Sequence, residues 1–546
     1  MYRVIYRSTL FTVADGRSET VPSMGSVLDY FGVQDPLDVT WYHGANSIDQ
    51  MQQALDGSCD MLEGDVTLRW HGFPNQTEEP IMAHPPQYDS DNTLDNWLNH
   101  ILATNNKAPK IDFKVEDCIE PSLKILSSKS EIINKPIWIN ADVLEGPGSD
   151  NQPIDPYRFI ELVEKYIPNI TLSLGWTTGC CDDLFTMPMM EEMWTIVHNL
   201  TQPCNFPVRA ALLKGSWLQF KWLLENDVDR FSLTVWAPNG SLDWEGATPY
   251  DILYVRNDID KRYVYYDLPG PRLEEFRRLC ITAGSPLNHF DLNGTRDGLL
   301  VTWAHAVNSE QELKSALMSD AMMLEADVLL EGQGTVNQTD TPIMAHPPNI
   351  YSDITLERWL EITLNTSRGI KLDFKSVEVL DPSLRIVSAS LSRYQQPIWL
   401  NADIFSGPNA EDSTPLNATI FRETVLQFFP EATLSVGWTT ADGPEGYTRD
   451  MVDEMLAFVA PLQQPVTFPV RAKLVKRSWD NLKELLSSSR AHALTIWSGS
   501  DLVDPDDLVY VRENSDLDRV YYDLPTWLMD LFLERLNSTC RDSPAT

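Results

Sequence analysis

The chain has 546 residues, 43% of them apolar, and carries a formal net charge of −37. Apolar content of that order supplies substantial cores, and the length suits two domains of roughly 240 residues, a size at which barrels run as single domains. The acidic balance excludes nucleic-acid binding, which needs basic surface to displace phosphate counterions, and disfavours adsorption to an anionic leaflet.

Along the first half of the chain, short β-branched or aromatic runs alternate with apolar residues at helical spacing. Strands are predicted at 39–43, 61–68, 81–84, 110–115, 136–143, 171–176, 206–212, 231–236 and 262–268. Helices are predicted at 48–55, 94–102, 156–166, 189–200 and 217–224. Pro121-Ser122-Leu123, Asp155-Pro156 and Gly215-Ser216 read as helix starts, with proline or a capping side chain ahead of the apolar repeat. Near-continuous apolar strands such as Ile137-Trp138-Ile139 fit a sheet covered on both faces. About eight strand–helix cycles imply a parallel sheet closed into a barrel. The doubly wound alternative lacks a Gly-rich phosphate turn after its first strand. Residues 269–296 read as a last helix and a linker.

The second half repeats the first. Trp41-Tyr42-His43 returns 262 residues later as Trp303-Ala304-His305. Glu63-Gly64-Asp65-Val66 returns as Glu325-Ala326-Asp327-Val328, and Ile81-Met82-Ala83-His84-Pro85-Pro86 as Ile343-Met344-Ala345-His346-Pro347-Pro348. Ile111-Asp112-Phe113-Lys114 matches Leu372-Asp373-Phe374-Lys375. Pro136-Ile137-Trp138-Ile139-Asn140-Ala141-Asp142 matches Pro397-Ile398-Trp399-Leu400-Asn401-Ala402-Asp403. So long a period marks a duplicated domain rather than a solenoid. The fold class is therefore α/β, with two tandem TIM-barrel-like (β/α)8 domains. Their boundaries read as an N-terminal segment 1–37, a first barrel 38–275, a linker 276–298, a second barrel 299–536 and a tail 537–546.

Sequons stand at Asn75, Asn169, Asn199, Asn239, Asn293, Asn337, Asn365, Asn417 and Asn537, a pattern of glycosylated lumenal or extracellular proteins. Seven cysteines form no framework shared by the two halves, and vicinal Cys180-Cys181 has no assignable partner. No apolar run reaches the length of a membrane span. The opening Met1-Tyr2-Arg3-Val4-Ile5-Tyr6-Arg7 lacks an apolar signal core, so the sequons imply a leader or membrane anchor outside this chain, with cell-surface attachment as one outcome.

Residues two apart on a strand share a face, which pairs Glu63 with Asp65, Asp112 with Lys114, and Asn140 with Asp142. Charges inside apolar strands need partners or a metal. At strand C-termini such pairs converge on a barrel mouth, where barrel enzymes keep their sites. Glu63, Asp65 and Asp112 form a hard, all-oxygen set suited to Mg²⁺ or Ca²⁺ rather than zinc. Without a metal, mutual repulsion should raise their pKa values. His43 and His84 are placed to act as acid and base, with Lys114 and Arg209 as positive charge for an anion. Trp176 and Trp236 are expected to wall the pocket, whereas Trp138 reads as core. Arg256, Arg512, Tyr266-Asp267 and Tyr522-Asp523 read as structural.

The order His, Glu-x-Asp, His, Asp-x-Lys resembles the PLC-like phosphodiesterase barrels of the glycerophosphodiester phosphodiesterase and phospholipase-D-toxin superfamily. Trp-Tyr-His-Gly-Ala-Asn-Ser, Ile-Met-Ala-His-Pro-Pro, Leu-Ser-Leu-Gly-Trp-Thr-Thr and Phe-Pro-Val-Arg together look like the menorin (FAM151) family, and the tandem arrangement resembles its A-type members. The resemblance implies one Mg²⁺ (or Ca²⁺) per barrel, held by Glu63, Asp65 and Asp112 and by Glu325, Asp327 and Asp373. It implies His43 with His84, and His305 with His346, as acid–base pairs. The second-barrel counterparts of the substrate-binding set are Lys375, Asn401, Asp403, Trp438, Arg471 and Trp497. One departure is plain. The phosphodiesterases follow the first His with Arg-Gly, whereas this chain has Gly44-Ala45 and Ala306-Val307, leaving Arg209 and Arg471 to bind phosphate.

Two readings follow. One is a metal-dependent phosphodiesterase acting on a small-molecule or lipid-headgroup phosphodiester. The other is a catalytically inactive extracellular or cell-surface protein that uses the barrel to recognise protein receptors.

Overall fold

A computed structural model of the chain describes residues 26–179, 183–238, 246–293, 295–390 and 396–542. Residues 1–25, Cys180, Cys181 and the sequon at Asn239 lie outside the described residues. The first sheet contains β1 (Trp41–Tyr42), β2 (Met61–Leu68), β3 (Pro80–Met82), β4 (Ala108–Phe113), β5 (Trp138–Glu145), β6 (Thr171–Thr177), β7 (Cys204–Arg209), β8 (Phe231–Trp236) and β9 (Val264–Asp267). Neighbours run β1-β2-β4-β5-β6-β7-β8-β9, with β3 attached to β2 alone. The second contains β10 (Trp303–Ala304), β11 (Met323–Leu330), β12 (Pro342–Met344), β13 (Gly369–Phe374), β14 (Ile398–Ser406), β15 (Thr433–Thr439), β16 (Val466–Arg471), β17 (His492–Trp497) and β18 (Val520–Asp523). Its order is the same, with β12 attached to β11. Each sheet is a nearly closed parallel eight-stranded barrel with helices between strands, as the alternation predicts.

The third predicted strand has a different role. β3 returns antiparallel along β2, pairing Leu68 with Pro80 and Val66 with Met82. β12 repeats this on β11. The hairpin brings the chain back to the level of Asp65, whose carbonyl accepts from Ala83 N–H at 2.9 Å. His84 follows immediately. The predicted strand at 206–212 is also shorter, ending at Arg209 where helix Ala210–Leu213 begins.

Helix starts match their local chemistry. Ser47 and Gln50 form a reciprocal capping box on helix Ile48–Asp56. Asp155 accepts from Tyr157 and Arg158 N–H ahead of Pro156. Among the described residues no helix is long and apolar enough to cross a membrane. Cys59, Cys118 and Cys204 are free thiols. All eight described sequon asparagines are exposed.

Each lumen is layered. At the strand N-termini an aromatic plug closes the floor: the Trp138 ring stands 5.6 Å from Trp41 and 5.0 Å from Tyr265. Trp399 holds the same place, 5.4 Å from Trp303 and 5.3 Å from Tyr521. Above the first plug the interior turns polar. Ser173 Oγ donates to Asn140 Oδ1 (2.6 Å), Asn205 Nδ2 to Ser232 Oγ (2.9 Å) and Thr234 Oγ1 to Asn205 Oδ1 (2.8 Å). Buried polar atoms are affordable only when paired in this way.

The fully buried Trp97 ties helix Leu94–Leu102 to the loop after β1, donating Nε1–H to Ala45 O at 2.8 Å. Ala45 N–H in turn donates to Glu63 O at 2.8 Å. Trp97→Phe keeps most of the ring but leaves that carbonyl without its donor. The expected loss is about 1–3 kcal/mol in urea denaturation; a loss below about 0.5 kcal/mol would contradict this role.

Candidate metal and acid–base site

Alternation along β2 directs Met61, Glu63 and Asp65 to one face, and the register sets Asp65 beside Asp112 and Asp112 beside Asn140. The carboxylates of Glu63, Asp65 and Asp112 each offer an oxygen within 4.8 Å of the others, and Glu325, Asp327 and Asp373 do the same. Ligand oxygens around Mg²⁺ at about 2.1 Å lie at most about 4.2 Å apart, and around Ca²⁺ at about 2.3–2.6 Å at most about 5.2 Å. The donor chemistry and spacing therefore fit a hard divalent ion.

Backbone and amide groups fix the trio. Gly44 N–H donates to Glu63 Oε2 at 2.7 Å. Asn46 grips Asp65 twice, Nδ2 donating to Oδ2 and Oδ1 accepting the Asp65 N–H, both at 2.8 Å. Asn140 Nδ2 donates to Asp112 Oδ1 at 2.9 Å. In the second barrel Ala306 N–H and Asn308 play the first two parts, at 2.8 Å to Glu325 and 2.7 Å to Asp327. There Asn401 adjoins Asp373 in the sheet and accepts from Ser435 Oγ at 2.5 Å.

The lysines sit inside the cluster. Lys114 Nζ lies 2.7 Å from Asp112 and 3.0 Å from Asp65, and Lys375 Nζ 2.6 Å from Asp373 and 2.9 Å from Asp327. This corrects the simple repulsion argument. Burial disfavours ionised Asp112, but Lys114 and Lys110 outweigh it and hold the group below the usual carboxylate range. Lys375 does the same for Asp327. The glutamates do behave as bare clustering predicts: burial and then Asp65 push Glu63 up to about 7, against the pull of His43. Burial also raises Glu325 to about 7, Asp327 adding to it and His305 opposing.

His43 follows β1 directly, its Nδ1 2.9 Å from Asp267 and 3.6 Å from Glu63. His305 repeats the arrangement with Asp523 (3.0 Å) and Glu325 (3.3 Å). Burial lowers the His43 pKa, but Glu63 and Asp267 win and drive it up to about 10. His305 reaches about 10 by the same balance, with Asp523 the larger pull. His84 is exposed, and its Nδ1–H donates to Pro85 O at 2.6 Å, leaving Nε2 as the basic nitrogen. His346 does so with Pro347 O at 2.6 Å.

The remaining predicted residues divide. Asp142 opens onto the mouth and Asp403 is half-buried there. Burial and then Asp373 push Asp403 up to about 7, and Asp142 is shifted the same way, with Asp112 in the part of Asp373. A bulge follows each, and Gly175 and Gly437 make room for them: a Cβ would stand 2.4 Å from Asp142 Oδ1 and 2.8 Å from Asp403 Oδ1. Trp236 and Trp497 are half-buried at the ends of β8 and β17, on the lumen face by alternation with Thr234 and Thr495. Trp176 does not line a pocket. It faces outward into the core, 5.3 Å from Phe185 and 5.7 Å from Phe220, and Trp438 packs against Tyr447 at 5.2 Å. Ser173 and Gly175 hold the lumen side of β6 beside Asn140 and Asp142, so alternation puts Trp176 on the outer face. Arg209 closes β7. Arg471 is clamped by both Asp501 oxygens at 2.6 Å and by Asp442 at 3.0 Å, so its charge is already neutralised.

Asp267 and Asp523, structural by their sequence context, instead orient His43 and His305. Lys110 and Lys371, buried in the lumen beside Glu63 and Glu325, were not singled out, nor were Asn46, Asn308 and Ser173. All recur in both halves at lumen positions, and that recurrence was the available signal.

An imidazole whose pKa is raised on folding adds stability in full below about 6.5, and loses it as pH rises through about 10. Asp267→Asn should therefore cost about 1–2 kcal/mol near pH 6.5, the low end for a charged hydrogen bond because the ring is one-third exposed. The cost should shrink towards pH 10. In NMR titrations of the intact chain, His43 and His305 should stay protonated at pH 8; titration of both near 6.5 would contradict the assignment.

The chain matches the model of the Menorin N-terminal domain twice, over residues 35–273 and 297–529. It is 45% identical over 263 residues to human Protein FAM151B, covering 46% of this chain and 92% of that protein. Solved structures resemble it distantly. A glucosidase from Croceicoccus marinus aligns with 10% identity and a TM-score of 0.25 over 42% of this chain and 60% of that one. The E. coli 3-keto-D-glucoside 4-epimerase YcjR aligns with 13% identity and a TM-score of 0.26 over 43% and 98%. Scores that low carry no argument. With both halves matched along nearly their whole length, the chain belongs to the menorin (FAM151) family.

Proposed function

We propose that each barrel is a divalent-metal-dependent phosphodiesterase site, acting on a phosphodiester of the glycerophosphodiester or lipid-headgroup kind. The observation that carries this reading is the trio of carboxylates within 4.8 Å, repeated in both barrels beside a charged and an exposed histidine. Five carboxylates at the first mouth (Glu63, Asp65, Asp112, Asp142 and Asp267) outnumber Lys110, Lys114 and the His43 imidazolium. With Glu63 and Asp142 both raised, the charges nearly balance, so that surface alone offers an anionic diester little attraction. A bound Mg²⁺ or Ca²⁺ would supply the missing positive charge and polarise a phosphoryl oxygen.

The protein's own groups divide the proton work. His84 presents Nε2 with its lone pair outward, which suits it to accept a proton from the attacking hydroxyl. His43, held charged by Asp267 and Glu63, suits the protonation of the leaving oxygen through Nε2. Asp267 is a positioning residue, fixing the tautomer and the ring. Lys114 pairs with Asp65 and Asp112 and keeps Asp112 ionised as a ligand. The exposed sequons support a secreted or lumenal location with glycans clear of the core.

One observation favours the second reading, a binding barrel without catalysis. Lys114 and Lys375 already bridge two of the three carboxylates in each cluster, and Arg471 is sequestered by Asp501. Such a site stands without a metal.

Thermal unfolding in chelator, Mg²⁺ and Ca²⁺ separates them. A divalent ion at a hundredfold excess over Kd should stabilise the chain by about 2.7 kcal/mol per site, seen as a rise in Tm. Glu63→Gln with Glu325→Gln should abolish the rise; an equal rise in that variant, or none in the wild type, would refute metal binding here. For hydrolysis, His84→Ala should remove part of the activity and His84→Ala with His346→Ala nearly all, since the two sites are separate. Complete loss in one single variant would assign catalysis to one barrel.

A further inference from the structure

The two mouths share a backbone on one rim but not its side chains. In the hairpin between β2 and β3, Trp70 N–H donates to Tyr88 O (2.7 Å), Phe73 N–H to Trp70 O (2.9 Å) and Gly72 N–H to Gln76 Oε1 (2.8 Å). In the second barrel Gly332 N–H donates to Ile350 O (2.8 Å), Thr335 N–H to Gly332 O (3.0 Å) and Gly334 N–H to Gln338 Oε1 (2.7 Å). Trp70, His71, Phe73 and Tyr88 thus stand where the second barrel has Gly332, Gln333, Thr335 and Ile350. The four rings form one cluster: Trp70 to Phe73 at 6.4 Å, Phe73 to Tyr88 at 5.9 Å and His71 to Tyr88 at 5.9 Å. Phe73 remains 51% exposed. In the second barrel a ring, Tyr351, stands one position further on, in place of Asp89.

Trp70 has φ +60, and Gly332 has φ +69. Glycine takes that left-handed conformation without cost, whereas a bulky side chain is strained there. A strained residue kept where a glycine would serve points to a use for its side chain. The rim is tied to the candidate site on two sides. Tyr88 follows His84 by four residues, with Gln87 N–H donating to His84 O at 3.0 Å. His71 Nδ1 stands 3.9 Å from Asp117, in the turn after Lys114.

We propose that this aromatic rim is a specificity subsite of the first barrel, holding an uncharged planar or apolar arm of the ester. The second barrel, with Gly332, Gln333 and Thr335 there, takes a smaller, more polar arm. The inference rests on the phosphodiester reading above. Ring faces and edges accept planar and apolar groups, and exposed Asp117 beside His71 disfavours an anionic one.

The test uses the full chain carrying His84→Ala and His346→Ala, so that neither ester is turned over, with Mg²⁺ and two probes in saturation-transfer NMR: phenyl methylphosphonate, with a planar arm, and dimethyl phosphate, without one. Trp70→Gly with Phe73→Thr installs the second barrel's residues, and glycine relieves the backbone, so folding should survive. The phenyl probe should bind at least tenfold more tightly than dimethyl phosphate, and the double variant should erase that preference without weakening dimethyl phosphate. Equal binding of both probes, unaffected by the variant, overturns the rim and leaves the phosphodiester reading standing. Phenyl binding that needs Trp70 and Phe73 but not Mg²⁺ or Glu63 upholds the rim and overturns the phosphodiester reading. No binding of either probe overturns both. A variant that changes only the Tm of protein glycosylated at Asn75 also overturns the rim, assigning Phe73 to packing against that glycan.

Discussion

Everything at the mouth of each barrel follows from one constraint: ionised groups inside a lumen must be paired. Glu63 is 1% exposed and Asp65 7%, in a strand whose other residues are buried and mostly apolar. Isolated carboxylates at such positions would be costly or would protonate. Here Gly44 N–H, Asn46, Asn140 and Lys114 supply fixed partners, and the polar ladder from Asn140 to Ser173 carries the pairing across the sheet. The aromatic plug below closes the floor, leaving the polar layer to face the mouth.

That arrangement explains the contrast between the two histidines. His43 is anchored between two carboxylates and stays charged, whereas His84 reaches the site on a hairpin that folds back along β2 and meets solvent. A charged donor and an exposed acceptor on opposite elements are what proton transfer across a bound ester requires. The same internal cations that make the cluster tolerable also weaken its need for a metal, and this tension separates a working site from a binding barrel.

Much of this was legible in the chain. Period-two placement of Glu63 with Asp65 and of Asp112 with Lys114, together with the 262-residue repeat, located the cluster and the barrel. The failures have local causes. Ile81-Met82-Ala83-His84 has the composition of a barrel strand, and nothing in it announces antiparallel return. Trp176 ends a strand, but Ser173 and Gly175 hold the lumen side of that strand, so alternation turns its ring outward. Asp267 sits in an apolar Val264–Asp267 strand far along the chain from His43, and only barrel closure makes them neighbours. Arg471 matched the expected anion-binding position, yet its neutralising Asp501 lies in a later loop whose proximity no spacing rule encodes.

The central claim is that these carboxylates form a metal site, and anomalous diffraction from crystals soaked in Mn²⁺ addresses it directly. The account predicts one peak per barrel, among Glu63, Asp65 and Asp112 and among Glu325, Asp327 and Asp373, with metal–oxygen distances of about 2.1–2.2 Å. Clusters still bridged by Lys114 and Lys375, with manganese only at surface carboxylates, would contradict it.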